Sequence, residues 1–122
     1  MQFKYHSNMK NYSKEEVEKI FSNEDLFIKN FNSLTDREKT SFLRKVGKIN
    51  TQYKNFDIFI ESFKSDNENL RFEIIKTLSK ITDINLFSFY KKIIYIEKTS
   101  DIRREIVSAI GRLRNKKTIQ LL

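Results

Sequence analysis

Apolar positions recur along this chain with the period of a helix, and the same pattern is written three times. In the stretch 37–49, Phe42, Leu43, Val46 and Ile49 fall at i, i+1, i+4 and i+7, one face of an α-helix. The stretch 69–81 repeats it with Ile74, Ile75, Leu78 and Ile81, and 101–113 repeats it again with Ile106, Val107, Ile110 and Leu113. The step between copies is thirty-two residues, and polar positions keep it too, Arg71 falling on Arg103 and Glu73 on Glu105. The intervening segments follow suit. Phe27, Ile28 and Phe31 of DLFIKNF correspond to Phe59, Ile60 and Phe63 of DIFIESF, and NLFSFYKKIIYI from Asn85 aligns after a slip of one residue. Each unit reads as helix, short turn, helix.

Pro is absent and Gly occurs only twice, so little breaks these helices. The pattern predicts them near 13–21, 24–33, 36–49, 55–64, 67–81, 85–97, 100–113 and 116–122. Ser13 with Glu16 and Thr35 with Glu38 have capping-box spacing, and Asp66-Asn67 and Ser100-Asp101 offer N-cap side chains to later copies. Gly47, Ser79 and Gly111 share one position of the repeat. Glycine inside a helix costs about 1 kcal/mol relative to Ala, so a recurrent small residue predicts close approach of a neighbouring helix.

An apolar helix, a turn with Asp, then an apolar-Arg pair opening a second helix with a small residue near its end is similar to the HEAT repeats. The matching positions are Leu70-Arg71 and Ile102-Arg103, with Ser79 and Gly111 at the small position, over about residues 25–113. The first copy departs from the pattern, with Glu38-Lys39 in place of the apolar-Arg pair, and the proline common in the family's first helix is missing. The resemblance implies an all-α, HEAT-like α-solenoid of stacked antiparallel helix pairs with a period of about 32 residues. One amphipathic pair cannot bury its face alone, whereas stacked pairs share a continuous core. The expected organisation is a single domain. An arm at 1–12 (with Phe3, Tyr5, Met9 and Tyr12) folds over a capping helix at 13–21, and helix pairs follow at 24–49, 55–81 and 85–113. KKTIQLL, at 116–122, begins a further helix that stops after about two turns, as expected of a fragment of a longer protein.

Composition narrows the chemistry. The 122 residues include no Cys and a single His, His6, so neither a disulfide framework nor a thiolate or multi-His metal site is available. No apolar run is long enough for a membrane span, and the opening MQFKYHSNMKNY lacks a secretory h-region; a cytoplasmic setting is expected. No Gly-rich phosphate loop or nucleophile elbow is present, so no cofactor, metal or catalytic residue is expected. Most carboxylates stand at predicted helix starts, where they complement the helix dipole. A few HEAT-like proteins excise damaged bases from DNA with a carboxylate and aromatic residues, a role the resemblance permits; but Trp is absent and no Asp stands out by its surroundings.

Two surfaces remain as candidates. In HEAT-like stacks the second helix of each pair lines the concave side, and there Lys48, Lys80 and Arg112 form a row with Arg44 and Lys76 one turn earlier. With a formal net charge of +8, such a row suits a phosphate backbone, although cations near helix C-termini also stabilise the dipole unaided. The resemblance gives Arg71 and Arg103 a different role, bonding between repeats. The second surface is the helix at 85–97, where Phe87, Tyr90 and Ile94 form a stripe beyond the core-facing one, flanked by Lys91. Aromatic anchors dominate protein interfaces, so this stripe is read as a partner site with Tyr90 at least partly exposed. The resulting expectation is a non-catalytic protein-interaction or scaffold module whose partner is another protein, acidic if the +8 charge takes part; the alternative is a nucleic-acid-binding module using the basic row.

Overall fold

The computed structural model describes residues 11–47 and 56–116, and within them the chain is all-α, with seven α-helices and no strand. They are α1 (Lys14–Phe21), α2 (Glu24–Asn32), α3 (Asp36–Arg44), α4 (Asp57–Ser62), α5 (Glu68–Leu78), α6 (Phe87–Ile93), entered through a 3₁₀ turn at Ile84–Leu86, and α7 (Ser100–Lys116). None is long and apolar enough to cross a membrane. Lys48, Phe3, Tyr5, Met9, His6 and the stretch 117–122 lie outside the described residues.

Side-chain chemistry fixes the helix starts. The two capping boxes form as spaced. Ser13 Oγ accepts from the Glu16 N–H at 3.1 Å while the Glu16 carboxylate accepts from the Ser13 N–H at 2.7 Å, and Thr35 and Glu38 do the same at 3.2 and 2.9 Å. Asn23 and Asn67 cap α2 and α5, accepting from the Leu26 and Leu70 N–H groups. Each such cap contributes about 1 kcal/mol. Ser100 and Asp101, expected as caps, instead lie within the first turn of α7, because the Arg103 N–H already bonds the Thr99 carbonyl at 3.0 Å.

Helix ends depart further from expectation. Helix α3 stops at Arg44 rather than 49, its last turn tightening as the Lys45 N–H turns to the Phe42 carbonyl ahead of the poor helix former Gly47. Helix α6 stops at Ile93 rather than 97, where the β-branched run Ile93, Ile94, Ile96 crowds the preceding turn. Conversely α7 runs unbroken through Gly111 to Lys116, past the break expected between 113 and 116.

Helix α5 is central, packing against both α3 and α7, while α1 pairs with α2, α4 with α5 and α6 with α7. Phe42, Ile74 and Ile106, one from each of α3, α5 and α7, are buried in a single core. Its N-terminal half is aromatic: Phe27 sits 5.0 Å from Phe21, 4.9 Å from Phe31 and 5.6 Å from Phe59, centroid to centroid. Tyr12, from the predicted arm, sets its ring edge-on to Phe42 at 5.6 Å and donates its hydroxyl to Asn30.

Equivalent turns are bonded alike. Arg71 Nη1 donates to the Ser65 carbonyl at 3.0 Å, and Arg103 Nη1 to the Glu97 carbonyl, also at 3.0 Å. The Asn67 N–H donates to the Ser65 side chain, as the Thr99 N–H does to the Glu97 side chain. Each pair differs by thirty-two residues.

The small-residue position does not bring backbones together. A Cβ at Gly111 would meet nothing within 4 Å, and one at Gly47 only a Glu18 carboxylate oxygen at 3.9 Å. Neither glycine has positive φ. Close packing is therefore not the reason for glycine at either place. Gly111→Ala, in the interior of α7, is expected to raise stability by about 0.5–1 kcal/mol in a denaturant melt, since Ala relieves the backbone entropy cost and meets no obstacle.

Candidate functional site

The basic row is drawn into the protein's own structure. Arg44 Nε pairs with Glu73 Oε2 at 3.2 Å, joining α3 to α5. Lys80 Nζ donates to the Val46 carbonyl at 2.7 Å, just beyond the end of α3, and reaches the Gly47 carbonyl at 3.4 Å. One unit later Arg112 Nη1 donates to Ser79 Oγ at 2.6 Å. Lys76 lies over the Phe72 ring at 5.7 Å. Desolvation at its contact, then the charge of Lys76, lowers the Lys80 ammonium below its ordinary value against the opposing pull of Glu73. These four heads have partners inside the chain, so any phosphate must compete with them.

The aromatic stripe is split by the core. Tyr90 is fully buried, which overturns the expectation that it is exposed. Helix α6 packs on α7 along the face that carries Tyr90 and Ile93, while Phe87 and Ile94 are only half-buried beside it. Tyr90 can anchor no partner. Its hydroxyl is the one buried side-chain N or O atom among the described residues without a hydrogen-bond partner. Burial pushes this phenol well above its usual range, only partly offset by the charge of Arg112. An unsatisfied buried hydroxyl is costly. Tyr90→Phe is accordingly expected to raise stability by about 1 kcal/mol, read as a higher urea midpoint with unchanged m.

What α6 leaves outside is a shallow groove of roughly 290 Å³ lined by Phe87, Ser88, Lys91, Lys92 and Tyr95, with Lys91 Nζ 5.9 Å from the centre of the Phe87 ring. Tyr95 is 83% exposed and Ile96 67%. The third large exposed apolar residue among those described, Val107 on α7, is 59% exposed. Its place in the repeat makes that exposure informative. Leu43 and Ile75, the residues in the same slot of α3 and α5, are 1% and 0% exposed. Each of those helices is followed by another unit that packs over it.

A charged fork sits beside the same slot. In α5, Arg71 presents Nε and Nη2 to the two oxygens of Glu97, at 3.2 and 3.1 Å, and its Nη2 also reaches Thr99 Oγ1 at 3.4 Å. The pair is buried. Burial alone would raise the Glu97 carboxyl, but hydrogen bonds from Arg71 and Thr99, together with the Arg71 charge, hold it below the usual carboxylate range. In α7, Arg103 is anchored through Nη1 to the Glu97 and Ile94 carbonyls at 3.0 and 2.7 Å. Arg103 is exposed, and its bonds to described residues run through Nη1 alone, leaving the Nε–Nη2 edge without an acceptor among them.

Of the predicted partner stripe, then, Phe87, Lys91 and Ile94 stay at the surface and Tyr90 does not. Tyr95, Ile96, Lys92, Arg103 and Val107 were not anticipated as site residues. Val107 was not legible in the sequence, because the same slot is buried at Leu43 and Ile75. Nor were Tyr95 and Ile96, because their exposure depends on α6 ending early. Among the described residues no three His, Cys, Asp or Glu side chains converge as a metal site would require. No protein-family model, curated protein or solved structure matches this chain.

Proposed function

We propose that this chain is a HEAT-like α-solenoid with a period of about 32 residues that acts as a non-catalytic protein-interaction module in the cytoplasm. Support for the solenoid comes from the equivalent bonds of Arg71 and Arg103 to turn carbonyls, and from α5 packing on both α3 and α7. The observation that carries the function is the exposure of Val107 on α7, where Leu43 and Ile75 in the same slot of α3 and α5 are buried. An apolar slot that the other units bury and this one exposes is a place for a protein contact to form. The nucleic-acid alternative loses support, because Arg44, Lys80 and Arg112 are engaged with Glu73, backbone carbonyls and Ser79.

Affinity capture with the chain and with a Tyr95→Ser/Val107→Ser double variant tests the reading. A captured protein that the double variant loses, and that stays bound between about 50 and 200 mM salt, is the expected result, since apolar contacts lack the steep salt slope of phosphate neutralisation. Equal capture by both forms, or tight binding to unrelated duplex DNA that collapses over that salt range, overturns it.

A further inference from the structure

We propose that the outer face of α7 docks an acidic amphipathic helix of a partner protein, whose apolar stripe covers Val107 and Ile110 and whose carboxylate enters the Nε–Nη2 edge of Arg103. The proposal rests on the protein-binding reading above and deepens it by naming the partner's chemistry.

The chain carries its own template for this contact. The face of α5 holding Ile75 and Leu78 is fully buried, and the arginine beside it grips Glu97 in the turn between α6 and α7. Helix α7 presents the same set one unit on. Val107 and Ile110 replace Ile75 and Leu78, and Arg103 replaces Arg71, held in place by the equivalent bond from Nη1 to a turn carbonyl. The difference lies in what meets it: Val107 is exposed, Ile110 only half-buried, and the side of Arg103 that corresponds to the Glu97-binding edge has no acceptor among the described residues. A guanidinium already oriented by its own backbone contacts loses little further freedom on binding a carboxylate in a bidentate fork.

Charge selects the occupant. Between Lys91 and Arg114 seven cations stand against three carboxylates, two of which are the Arg71-bound Glu97 and the Arg104-bound Asp101. Residues 117–122, KTIQLL, contain no acidic side chain and so hold none for Arg103. A second copy of this chain brings another +8 to the same surface. A separate, acidic helix meets both requirements.

The test uses the full chain and a fluorescent peptide of residues 84–99 carrying Lys91→Glu and Lys92→Glu, an acidic version of the segment that precedes and includes Glu97. Anisotropy should show saturable binding that weakens about tenfold in Val107→Ser and about tenfold in Arg103→Gln, effects of ordinary size for interface residues. Glu97→Gln in the peptide should weaken binding to the same degree and leave Arg103→Gln with no further effect, the signature of a direct pair. Because this last arm alters only the peptide, it reports on the carboxylate contact even if Arg103→Gln disturbs the fold. Absence of binding to the unaltered chain overturns the proposal. Binding that ignores Glu97→Gln and Arg103→Gln but responds to Val107→Ser overturns the acidic partner while leaving the protein-binding surface standing. Indifference to Val107→Ser removes both. A concentration-dependent dimer in sedimentation, abolished by Val107→Ser, assigns the face to a second copy and equally overturns the acidic partner.

Discussion

Glu97→Ala should destabilise the chain by about 2–4 kcal/mol, the cost of leaving the half-buried Arg71 charge without its buried partner. Arg71 would retain the Ser65 carbonyl but lose both carboxylate oxygens, and the Thr99 N–H at the head of α7 would lose its acceptor. Urea melts at neutral pH measure the loss, and a cost below about 1 kcal/mol would place the pair among weak surface bridges. The same contact has a pH signature. The folded carboxyl is held below the ordinary value of 4.5, so its contribution is complete above that pH and disappears as pH falls through the lower, folded value. The unaltered chain should therefore lose stability below pH 4.5 with a slope that Glu97→Gln flattens.

Ile75→Ala is expected to cost about 2–5 kcal/mol, because the side chain is fully enclosed at the centre of the core and its removal leaves a cavity between packed helices. Val107→Ala, the same kind of truncation in the same slot of the repeat, should cost under about 0.5 kcal/mol on a surface that is 59% exposed. The contrast is the sharper measurement, since helix propensity enters both changes in the same direction. Similar costs for the two would mean that the outer face of α7 is covered in solution.

The helices within the described residues and most of their core positions were legible because both depend on local chemistry and on periodicity. Ser13, Thr35 and Asn67 cap where their spacing placed them, and Phe42, Ile74 and Ile106 are buried as their period required. Tyr90 was misread because only tertiary packing decides how wide a helix's buried arc is. The internal bonds of the basic row were hidden for a related reason. A cation four residues after another resembles a charged surface in sequence, but Lys80 and Arg112 reach back across a whole unit to Val46 and Ser79. Gly111 looked like a packing residue, yet it has open space around its Cα.

Those reaching bonds share a dimension. Arg71 to Glu97 spans 26 residues, Arg44 to Glu73 spans 29, Arg112 to Ser79 spans 33 and Lys80 to Val46 spans 34. Each clips one unit to its neighbour, and none of them bridges two units. Pulled from its two ends, a body fastened this way carries load through two junctions in series. One holds Arg44–Glu73 and Lys80–Val46, the other Arg71–Glu97 and Arg112–Ser79. The bonds of each pair share the force, and the weaker junction yields first. Such a chain should lengthen in steps of about one unit, with the compliance of a spring, where a sheet sheared along many parallel bonds would hold and then fail at once.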